Sequence, residues 1–390
     1  MPDSPGPDGS GVDDGVIVVG GGPAGAATAI TLSRLGLRTT VLEAAPEPQW
    51  KPGESLPPSI NPVLTRLGLG GVMQRAALPS YGVSSRWGSP DLVERDFLFG
   101  AGGDGWRIDR LAFETELAAV AQRSGVEWHW GSRVVGCVRA ARGWTLRTQT
   151  SAGSRTWQAQ FVVDASGRAA RVARLLGARR VRYDRLIGAL TCLPSSEGPM
   201  GPEDDESTTV VEAVPGGWWY SLRLPNQRLV AAFLTDADLL DDSVRGPWEF
   251  DALPLAEAPT TARRLRTCRD SSAWPAPRIR PAHVGRLTSL VGSGWLAVGE
   301  AAVCFDPLSS YGIEAALGSG FYAGAAISEH LAGRRDALPG YAELIDHTFA
   351  RYLIACHDRY AAERRWPTSP FWRRRQRSSV SAADQIPTPR

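Results

Sequence analysis

The chain has 390 residues, 43% of them hydrophobic, which is enough to bury a large core in two domains or in one large α/β unit with a second lobe. Its formal net charge of +2 gives no electrostatic reason to expect nucleic acid or an anionic membrane as a partner, so we expect neither. The five cysteines are scattered without C-x-x-C spacing, which argues against a metal site or a disulfide framework and favours a reducing, cytoplasmic location.

The first elements in chain order predict a strand, a tight turn and a helix. Residues 1–13 are rich in Pro, Gly and Asp and lack the basic and apolar regions of a signal peptide, so we predict a disordered leader. Val16 to Val19 (VIVV) form the β-branched run expected of a strand buried on both faces. GGGPAG and a helix-like segment follow, and the second predicted strand, RTTVLE, ends in Glu43.

The glycine spacing in this unit predicts an adenine dinucleotide site. In G-x-G-x-x-G the first glycine permits the turn, the second lets the backbone approach a pyrophosphate, and the third lets helix and strand touch. The acid that ends the second strand is placed to bind ribose hydroxyls. A plain glycine-rich turn is the alternative, which the flanking strand and helix disfavour. The predicted contacts are Gly20, Gly22, Pro23, Ala24, Gly25 and Glu43.

A second match to the same spacing, GAGGDG at 100–105, is predicted to be a surface turn. Trp106 and Arg107 follow it where small residues are needed for close packing, and the next acid, Glu127, opens a predicted strand instead of closing one. This glycine run is therefore not expected to bind a nucleotide.

Three later segments each place polar residues at the start of a helix. WRIDRLAFETELAAVAQRSG (106–125) is predicted to be a helix in which Arg107 and Arg110 reach a phosphate or a ring edge. FVVDASGRAARVARLLG (161–177) is predicted to be a buried strand, a Ser-Gly turn and an arginine-rich helix. The segment 294–327, GWLAVGEAAVCFDPLSSYGIEAALGSGFYAGAAI, is predicted to be a buried strand, an acidic turn and a helix.

The order G-x-G-x-x-G, W-x-I-D-R, D-A-S-G-R and G-E-A-A-x-x-x-D-P resembles the superfamily of FAD-dependent aromatic hydroxylases and flavin halogenases over nearly the whole chain. The resemblance implies an α/β fold: a Rossmann-type FAD-binding domain with an inserted antiparallel-sheet substrate domain and a C-terminal helical tail. It also implies FAD contacts at Arg110 (pyrophosphate), at Gly299 and Glu300 (ribityl chain, with Glu where the family usually has Asp or Asn), and at Pro307, Gly312 and Ile313 (flavin ring, at a helix N-terminus that stabilises negative charge).

Several short segments are similar to one branch of this superfamily: halogenase-like flavoproteins that accompany quinoprotein oxidases and help to form tryptophylquinone cofactors from a Trp side chain. The segments are GESLPPSINPVLTRLGL (53–69), GWWYSLRLP (217–225), RRWPTSPFWRRR (364–375) and DPLSSYGI. On this basis Glu54 and Ser55 are predicted FAD contacts, and Tyr311, where the branch has Gln, is a predicted substrate contact.

Lysine content argues against halogenation. Flavin halogenases use a lysine about 25 residues beyond the G-E-x-x-x-P turn, and the corresponding segment here, ALPSYGVSSRWG, has none. Lys51, the only lysine in the chain, precedes the turn and is expected at the flavin edge or on the surface.

The predicted domains follow the motifs in chain order. They are an FAD-binding domain (14–80, 100–180 and 280–335), a substrate domain (81–99 and 181–279) and a helical tail (336–390). Alternating segments such as LIGALTCL and TTVVEAV predict the antiparallel sheet of the substrate domain. Residues 195–207 are acidic and are predicted to form a loop or a disordered lid.

The tail is predicted to be helical to Arg365 and to break at Pro367. It contains Trp366, Phe371 and Trp372 among arginines. We interpret it as a strap over the FAD-binding domain with its cations exposed, and a docking surface for an acidic protein is the alternative.

The two adjacent tryptophans of GGWWYSLRLP are predicted to have different roles. In a strand, Trp218 and Tyr220 share one face while Trp219 and Ser221 share the other. We predict that Trp218 and Tyr220 face the substrate chamber.

Together these features predict an FAD-dependent monooxygenase that uses reduced flavin and O2, through a C4a-hydroperoxide, to hydroxylate an aromatic group. The substrate is a small aromatic molecule or a Trp side chain in the precursor of a quinoprotein oxidase. NAD(P)H and a separate flavin reductase are both open as the source of electrons. The alternatives are a small-molecule hydroxylase, halogenase or flavin-dependent reductase, and a flavin-bearing maturation chaperone. No catalytic residue is assigned, since the five histidines are expected to be structural or exposed.

Overall fold

The structure is a computed structural model that describes residues 15–97, 102–194, 207–240, 245, 247, 253–268, 274 and 276–377. The predicted leader and residues 195–206 of the predicted lid lie outside the described residues. Within the described ranges, no helix has the length and apolar character needed to cross a bilayer, and His, Cys, Asp and Glu form no cluster suited to a metal ion.

A six-stranded, mostly parallel sheet, called here the parallel sheet, carries the N-terminal glycine motif. Its strands are β1 (Val16–Val19), β2 (Thr39–Leu42), β8 (Glu127–His129), β12 (Phe161–Asp164), β20 (Val291–Gly292) and β21 (Trp295–Ala297). Their spatial order is β20-β21-β12-β1-β2-β8, and β1 pairs in parallel with both β2 and β12. Every residue of these three strands is buried, as a strand covered on both faces requires. The predicted strands VIVV and FVVD are confirmed.

The helices are α1 (Pro23–Arg34), α2 (Asn61–Arg66), α3 (Gly70–Ala76), α4 (Arg110–Arg123), α5 (Arg171–Leu175), α6 (Pro259–Arg266), α7 (Gly312–Leu331), α8 (Ala337–Ala362) and α9 (Pro370–Arg377). Helices α1 and α7 approach so closely that a Cβ at Gly320 would lie 2.4 Å from the carbonyl oxygen of Ala24. The small residues of both helices therefore fix the two ends of the cofactor motif, GGGPAG and SSYGI, beside each other.

A seven-stranded sheet, called here the large sheet, forms the second core. Its strands are β5 (Gly82–Arg86), β6 (Val93–Asp96), β14 (Leu186–Pro194), β15 (Thr209–Val214), β16 (Gly217–Arg223), β17 (Arg228–Asp236) and β18 (Arg278–Pro281). The order is β18-β14-β17-β16-β15-β5-β6, and every neighbouring pair is antiparallel except β15 with β5. The predicted antiparallel sheet is confirmed, with one parallel pair added where residues 82–86 join it.

Three small antiparallel sheets connect the two cores. They are β9 (Arg133–Arg139), β10 (Trp144–Thr150) and β11 (Gly153–Ala159); β13 (Arg180–Arg182), β19 (Gly285–Leu287) and β22 (Val303–Cys304); and β3 (Ser55–Leu56), β4 (Ala77–Ser80) and β7 (Gly105–Ile108).

The predicted helix 106–125 starts later than expected. Residues 106–108 belong to β7, and α4 begins at Arg110 because the Asp109 side chain accepts hydrogen bonds from the amides of Leu111 and Ala112. The extended start of this segment pairs with both β3 and β4, which tertiary contacts favour over its helical pattern.

The two helices of the tail pack on different partners: α8 buries Tyr341 and Phe349 in the core that surrounds the parallel sheet, whereas α9 packs on the large sheet. Helix α8 ends at Ala362, and α9 buries Phe371 and Trp372 in the apolar cluster of the large sheet, not on the FAD-binding domain. Two of its arginines are ion-paired: Arg374 and Arg375 both pair with the buried carboxylate of Asp236, each at 2.8 Å, whereas Arg373 is exposed. The interpretation of residues 366–377 as a strap over the FAD-binding domain was therefore wrong, and the exposure of their cations was only partly as expected.

Candidate functional site

A cavity of about 590 Å³ lies where the parallel sheet meets the large sheet. One wall comes from the ends of β1, β2 and β12 and from the start of α7, and the other comes from β14, β16 and β17. Ligands bind outside the carboxyl ends of parallel strands in open α/β sheets, and this cavity has that position.

The glycine turn after β1 forms the first wall, and its three motif glycines lie in different surroundings. A Cβ at Gly20 would lie 2.3 Å from the carbonyl oxygen of Ala165, and one at Gly25 would lie 1.9 Å from that of Gly20. A Cβ at Gly22 would meet no protein atom within 4 Å, although Gly22 lines the cavity. Gly20 and Gly25 thus serve protein packing, while Gly22 leaves open space in front of the N-terminus of α1, where a pyrophosphate fits.

Glu43 lies at the end of β2, as predicted, and lines the cavity. Its carboxylate accepts hydrogen bonds from the amide of Gly21 at 2.6 Å and from that of Ala45 at 2.8 Å. These bonds hold the carboxylate beside the glycine turn, which is the position needed to accept hydrogen bonds from a ribose.

The N-terminus of α7 enters the cavity through Gly312 and Ile313. The Asp306 side chain caps the preceding 3₁₀ turn of Pro307–Ser309 by accepting from the amide of Leu308, and the Ser309 hydroxyl donates to the Asp306 carbonyl oxygen. The N-cap residue of α7, Tyr311, provides no side-chain cap. The N-terminus of a 20-residue helix therefore faces the cavity, while the one acid of its first turn, Glu314, lines the second cavity described below and accepts a hydrogen bond from Ser59 at 2.6 Å.

Glu300 lines the cavity and forms an ion pair with Arg168 at 2.8 Å. The longer side chain at this position thus reaches an arginine of the D-A-S-G-R turn. Gly299 lies one residue away but does not line the large cavity, and its amide donates a hydrogen bond to the Ser319 hydroxyl at 2.9 Å.

Arg110, from the first turn of α4, lines the cavity but is already bonded. Its guanidinium lies 2.7 Å from Glu114 and donates to the carbonyl oxygen of Pro52 at 3.0 Å. Lys51 pairs with the same Glu114 at 2.7 Å, and both lysine and glutamate also line the cavity. Arg107 differs: it extends to the carbonyl oxygens of Pro79 and Arg223 and is not part of the cavity wall.

Strand β16 supplies the opposite wall, where its alternation separates the two tryptophans. Trp218 and Tyr220 line the cavity. Trp219 points to the other face, where it packs against Phe233 and donates from its indole nitrogen to the Pro254 carbonyl at 2.9 Å. This placement agrees with the prediction that Trp218 and Tyr220 face the chamber while Trp219 faces the other side of the strand.

Tyr311 lies elsewhere than the other predicted substrate contacts. It packs edge-on against Phe305 and lines a separate cavity of about 210 Å³ with Glu314 and Tyr322. The structure therefore does not bring Tyr311 together with Trp218 and Tyr220.

Glu54 and Ser55 reach the cavity from the start of β3. The Glu54 carboxyl is only 1% exposed, and the Tyr220 hydroxyl donates to its Oε2 at 3.3 Å. Burial raises the pKa of Glu54 to about 7, against the weaker opposing effect of Arg110. The Ser55 hydroxyl accepts a hydrogen bond from Thr209 of the large sheet at 2.9 Å.

A buried hydrogen-bonded chain supports the wall at Trp218. The indole nitrogen of Trp218 donates to the Tyr360 hydroxyl at 3.1 Å, which in turn donates to Asp306 at 2.7 Å. Burial raises the pKa of Asp306 to about 6. These two hydrogen bonds connect α8 to the cavity wall formed by β16 and to the loop that precedes α7.

Sequence reasoning missed part of the wall. Residues that it did not select include Glu114, Ser132, Arg133, Arg168, Arg171, Arg280, Phe305 and Asp306. The D-A-S-G-R motif contains Arg168 and was a usable signal. Arg133 carries no local signal, because it joins the cavity only when β9 is placed beside the end of β2.

A family model described as an FAD binding domain matches residues 13–214, which is more than half of the chain. The chain belongs to this family. Together with the open space at Gly22 and the position of the α7 N-terminus at the cavity, the match identifies the protein as an FAD-dependent oxidoreductase.

Relatives extend the similarity over nearly the whole protein. The chain is 29% identical over 371 residues to LodB of Marinomonas mediterranea, which is described as an FAD-dependent oxidoreductase. The alignment covers 93% of this chain and 97% of LodB. It is 27% identical to a tryptophan 2-halogenase of Chondromyces crocatus over 93% of this chain and 70% of that enzyme.

A solved structure, QhpG, a peptidyl tryptophan dihydroxylase essential for tryptophylquinone cofactor biogenesis, superposes with a TM-score of 0.73 at 28% identity. The superposition covers 93% of this chain and 79% of QhpG. The chondrochloren halogenase CndH has the same fold, with a TM-score of 0.77 at 22% identity. The predicted resemblance to halogenase-like flavoproteins is confirmed.

Proposed function

We propose that this flavoprotein is a monooxygenase that hydroxylates an aromatic ring, and that its substrate is a Trp side chain in the precursor of a quinoprotein oxidase. The observation that carries the proposal is the cavity itself. One wall, called here the cradle, contains the glycine turn and the N-terminus of α7, and the other contains the aromatic side chains of Trp218 and Tyr220. Similarity to a peptidyl tryptophan dihydroxylase over nine-tenths of the chain supports the choice of substrate.

The residues present fit FAD, because the space at Gly22 is open and the positive end of α7 is uncapped. The residues proposed to hold it are Gly20, Gly22, Pro23, Ala24 and Glu43 for the adenine dinucleotide half, Arg168 and Glu300 for the ribityl chain, and Pro307, Gly312 and Ile313 for the ring. When bound, FAD supplies the two-electron chemistry that allows O2 to react with an aromatic carbon.

The chain's own residues prepare the reaction in three ways. The amides at the start of α7 stabilise negative charge at the ring position. Trp218 and Tyr220 place two aromatic side chains in the cavity wall, against which an aromatic substrate packs. Apolar residues of the large sheet, Leu190 and Leu234, exclude water from the same space.

The surroundings of Lys51 support hydroxylation over halogenation. Its ammonium group is held by Glu114 at 2.7 Å, on the cradle side of the cavity, and 44% of its side chain is exposed. A lysine that carries an activated halogen has to face the substrate in a dry pocket, which this exposed, ion-paired position does not favour.

The proposal is tested with the FAD-loaded protein, reduced chemically under nitrogen and mixed with the Trp-containing precursor of a quinoprotein oxidase encoded beside its gene. Isotope-labelled O2 is then admitted, and the polypeptide is analysed by mass spectrometry. We expect labelled oxygen on a Trp residue only when O2 is present.

Three results would contradict the proposal. Turnover under strict anoxia indicates a reductase, incorporation of chloride or bromide in place of oxygen indicates a halogenase, and maturation of the precursor by flavin-free protein indicates a chaperone. Free tryptophan in place of the polypeptide separates a protein substrate from a small one.

A further inference from the structure

Glu54 occupies an unusual position in the cavity wall. It follows Gly53 at the start of β3, and its backbone is fixed because its carbonyl oxygen accepts a hydrogen bond from the amide of Ile108 at 2.8 Å. Its side chain lines the cavity, yet it is 1% exposed. A carboxyl group in this position is costly unless its charge or its hydrogen-bonding capacity is used.

The hydrogen bonds of Glu54 use only half of that capacity. The Tyr220 hydroxyl donates to Oε2 at 3.3 Å, whereas Oε1 has no hydrogen-bond partner among the described residues. The nearest cation, Arg110, directs its donors to Glu114 and to the Pro52 carbonyl instead. One oxygen of a buried carboxyl is therefore available to a molecule in the cavity.

The groups that face Glu54 come from three elements. Arg110 of α4 attracts its negative charge and Tyr220 of β16 donates a hydrogen bond. The pKa of the Cys192 thiol on β14 is raised chiefly by burial and to a smaller extent by the Glu54 carboxylate. Burial outweighs the stabilising effects of the Gly53 backbone amide and of Arg110, and it raises the pKa of Glu54 to about 7. Proton transfer is most effective when the pKa of the group lies near the working pH.

We propose that Glu54 is the group that accepts a proton from the aromatic substrate, with Tyr220 orienting the carboxyl through Oε2 so that Oε1 is left for the substrate. This inference rests on the proposed hydroxylation and assigns to Glu54 a role different from that of an FAD contact. Tyr220 is in this respect a positioning residue.

The proton has a defined place in the reaction. One atom of O2 forms a C–O bond with a ring carbon and becomes the hydroxyl group, and the other atom leaves as water. The external reductant, NAD(P)H or a reduced flavin, supplies two electrons and two protons, and solvent supplies the third proton that the hydroxyl group and the water require. The same ring carbon then loses its hydrogen as a proton, and the electrons of the broken C–H bond restore the aromatic ring. Glu54 accepts that proton and releases it to solvent after the product leaves.

The first test compares E54Q, E54D and Y220F with a control, E116Q. Glu116 lies on α4 and pairs with Arg75 at the surface, outside the cavity. We expect E54Q to retain FAD and substrate affinity but to lose on the order of 100-fold in the rate of hydroxylation, as for removal of a general base. E54D restores part of the rate, Y220F loses less than E54Q, and E116Q matches the native protein.

The dependence of the hydroxylation rate on pH distinguishes a proton acceptor from a residue that only supports the fold, because loss of a structural contact would leave that dependence unchanged. Because the base must be ionised, the native rate rises with pH through about 7. E54Q loses this rise. Loss of FAD from folded E54Q, or an unchanged pH profile, overturns the proposal in favour of a cofactor contact.

A measurement on the unmutated protein covers the case in which E54Q does not fold. Infrared difference spectra of native protein labelled with ¹³C-glutamate are expected to show a protonated carboxyl band that disappears as pH rises through about 7. Absence of that band overturns the inference. If the native protein transfers no labelled oxygen, the proposed function fails instead, whatever the state of Glu54.

Discussion

The two walls of the cavity are built in different ways. The cradle wall depends on backbone: open space at Gly22, close contacts at Gly20 and Gly25, and the amides of a helix N-terminus. The opposite wall depends on side chains, with Trp218 and Tyr220 brought in by a strand far along the chain. The cradle can therefore be read from a short motif, while the identity of the substrate depends on residues that only the fold assembles.

The largest effects are expected from two alanine substitutions in the cradle. G25A places a Cβ 1.9 Å from the carbonyl oxygen of Gly20, so it should lower the free energy of unfolding by on the order of 4 kcal/mol. G22A meets no protein atom within 4 Å at an ordinary φ of −71°, so its apoprotein should keep the native stability while FAD binds on the order of 10-fold more weakly.

Urea denaturation of the apoproteins and FAD titration separate these two effects. Equal losses of stability in G22A and G25A would remove the distinction between a glycine needed for packing and a glycine needed for the ligand.

The second comparison concerns the adjacent tryptophans. W218L and W219L each remove a buried indole with one hydrogen bond, and each should cost about 3 kcal/mol of stability. Only Trp218 lines the cavity, so turnover per bound FAD should fall at least about 10-fold in W218L and stay close to native in W219L. Equal losses of turnover in folded, FAD-loaded variants would show that the strand is only core.

The third prediction concerns the stability cost of the buried carboxyl in the apoprotein. The folded-state pKa of Glu54 is about 7 against an ordinary 4.5, so the folded protein retains a proton that the unfolded chain has released. The free energy of unfolding should therefore fall as pH rises from about 4.5 to about 7, by roughly 3 kcal/mol in total.

E54Q has no carboxyl group at this position, so it lacks this pH-dependent loss of stability. Its free energy of unfolding, relative to that of the native protein, should therefore increase as pH rises through that range. Urea denaturation at both ends measures the difference. A difference between native and E54Q that does not change with pH would mean that the folded-state pKa of Glu54 is ordinary.

The smallest effect is expected at Lys51. Its ion pair with Glu114 is half-exposed, so K51M should cost no more than about 1 kcal/mol and leave turnover within about threefold of native. R75M, which breaks a comparable surface pair with Glu116, is the matched control. A collapse of turnover in K51M alone would indicate that lysine chemistry takes part in the reaction.

The sequence predicted the parts of the molecule that local rules govern. The β-branched strand, the glycine turn and Glu43 follow one another within about thirty residues, which is the span of one βαβ unit. The division between Trp218 and Trp219 also followed, because strand periodicity is a local property.

Prediction from the sequence failed where a residue contacts a partner that lies far away along the chain. The arginines of α9 were interpreted as exposed, since nothing near them in the chain reveals Asp236 and Asp238. The burial of Glu54 and its bond to Tyr220 were not predicted either, because they arise only when residues 54 and 220 meet in the fold; the predicted contact of Glu54 with FAD stays a prediction. Segment 106–108 became a strand for the same reason, since its partners lie elsewhere in the chain.

The packing of α9 has a consequence for biosynthesis. Phe371 and Trp372 cover the apolar face that includes Trp218, and they follow both sheets in the chain. A ribosome has therefore made the whole cradle and the whole large sheet before the segment that covers this face emerges. During that interval the nascent chain presents uncovered tryptophan surface, which makes this stage of synthesis the one at which chaperone protection matters most.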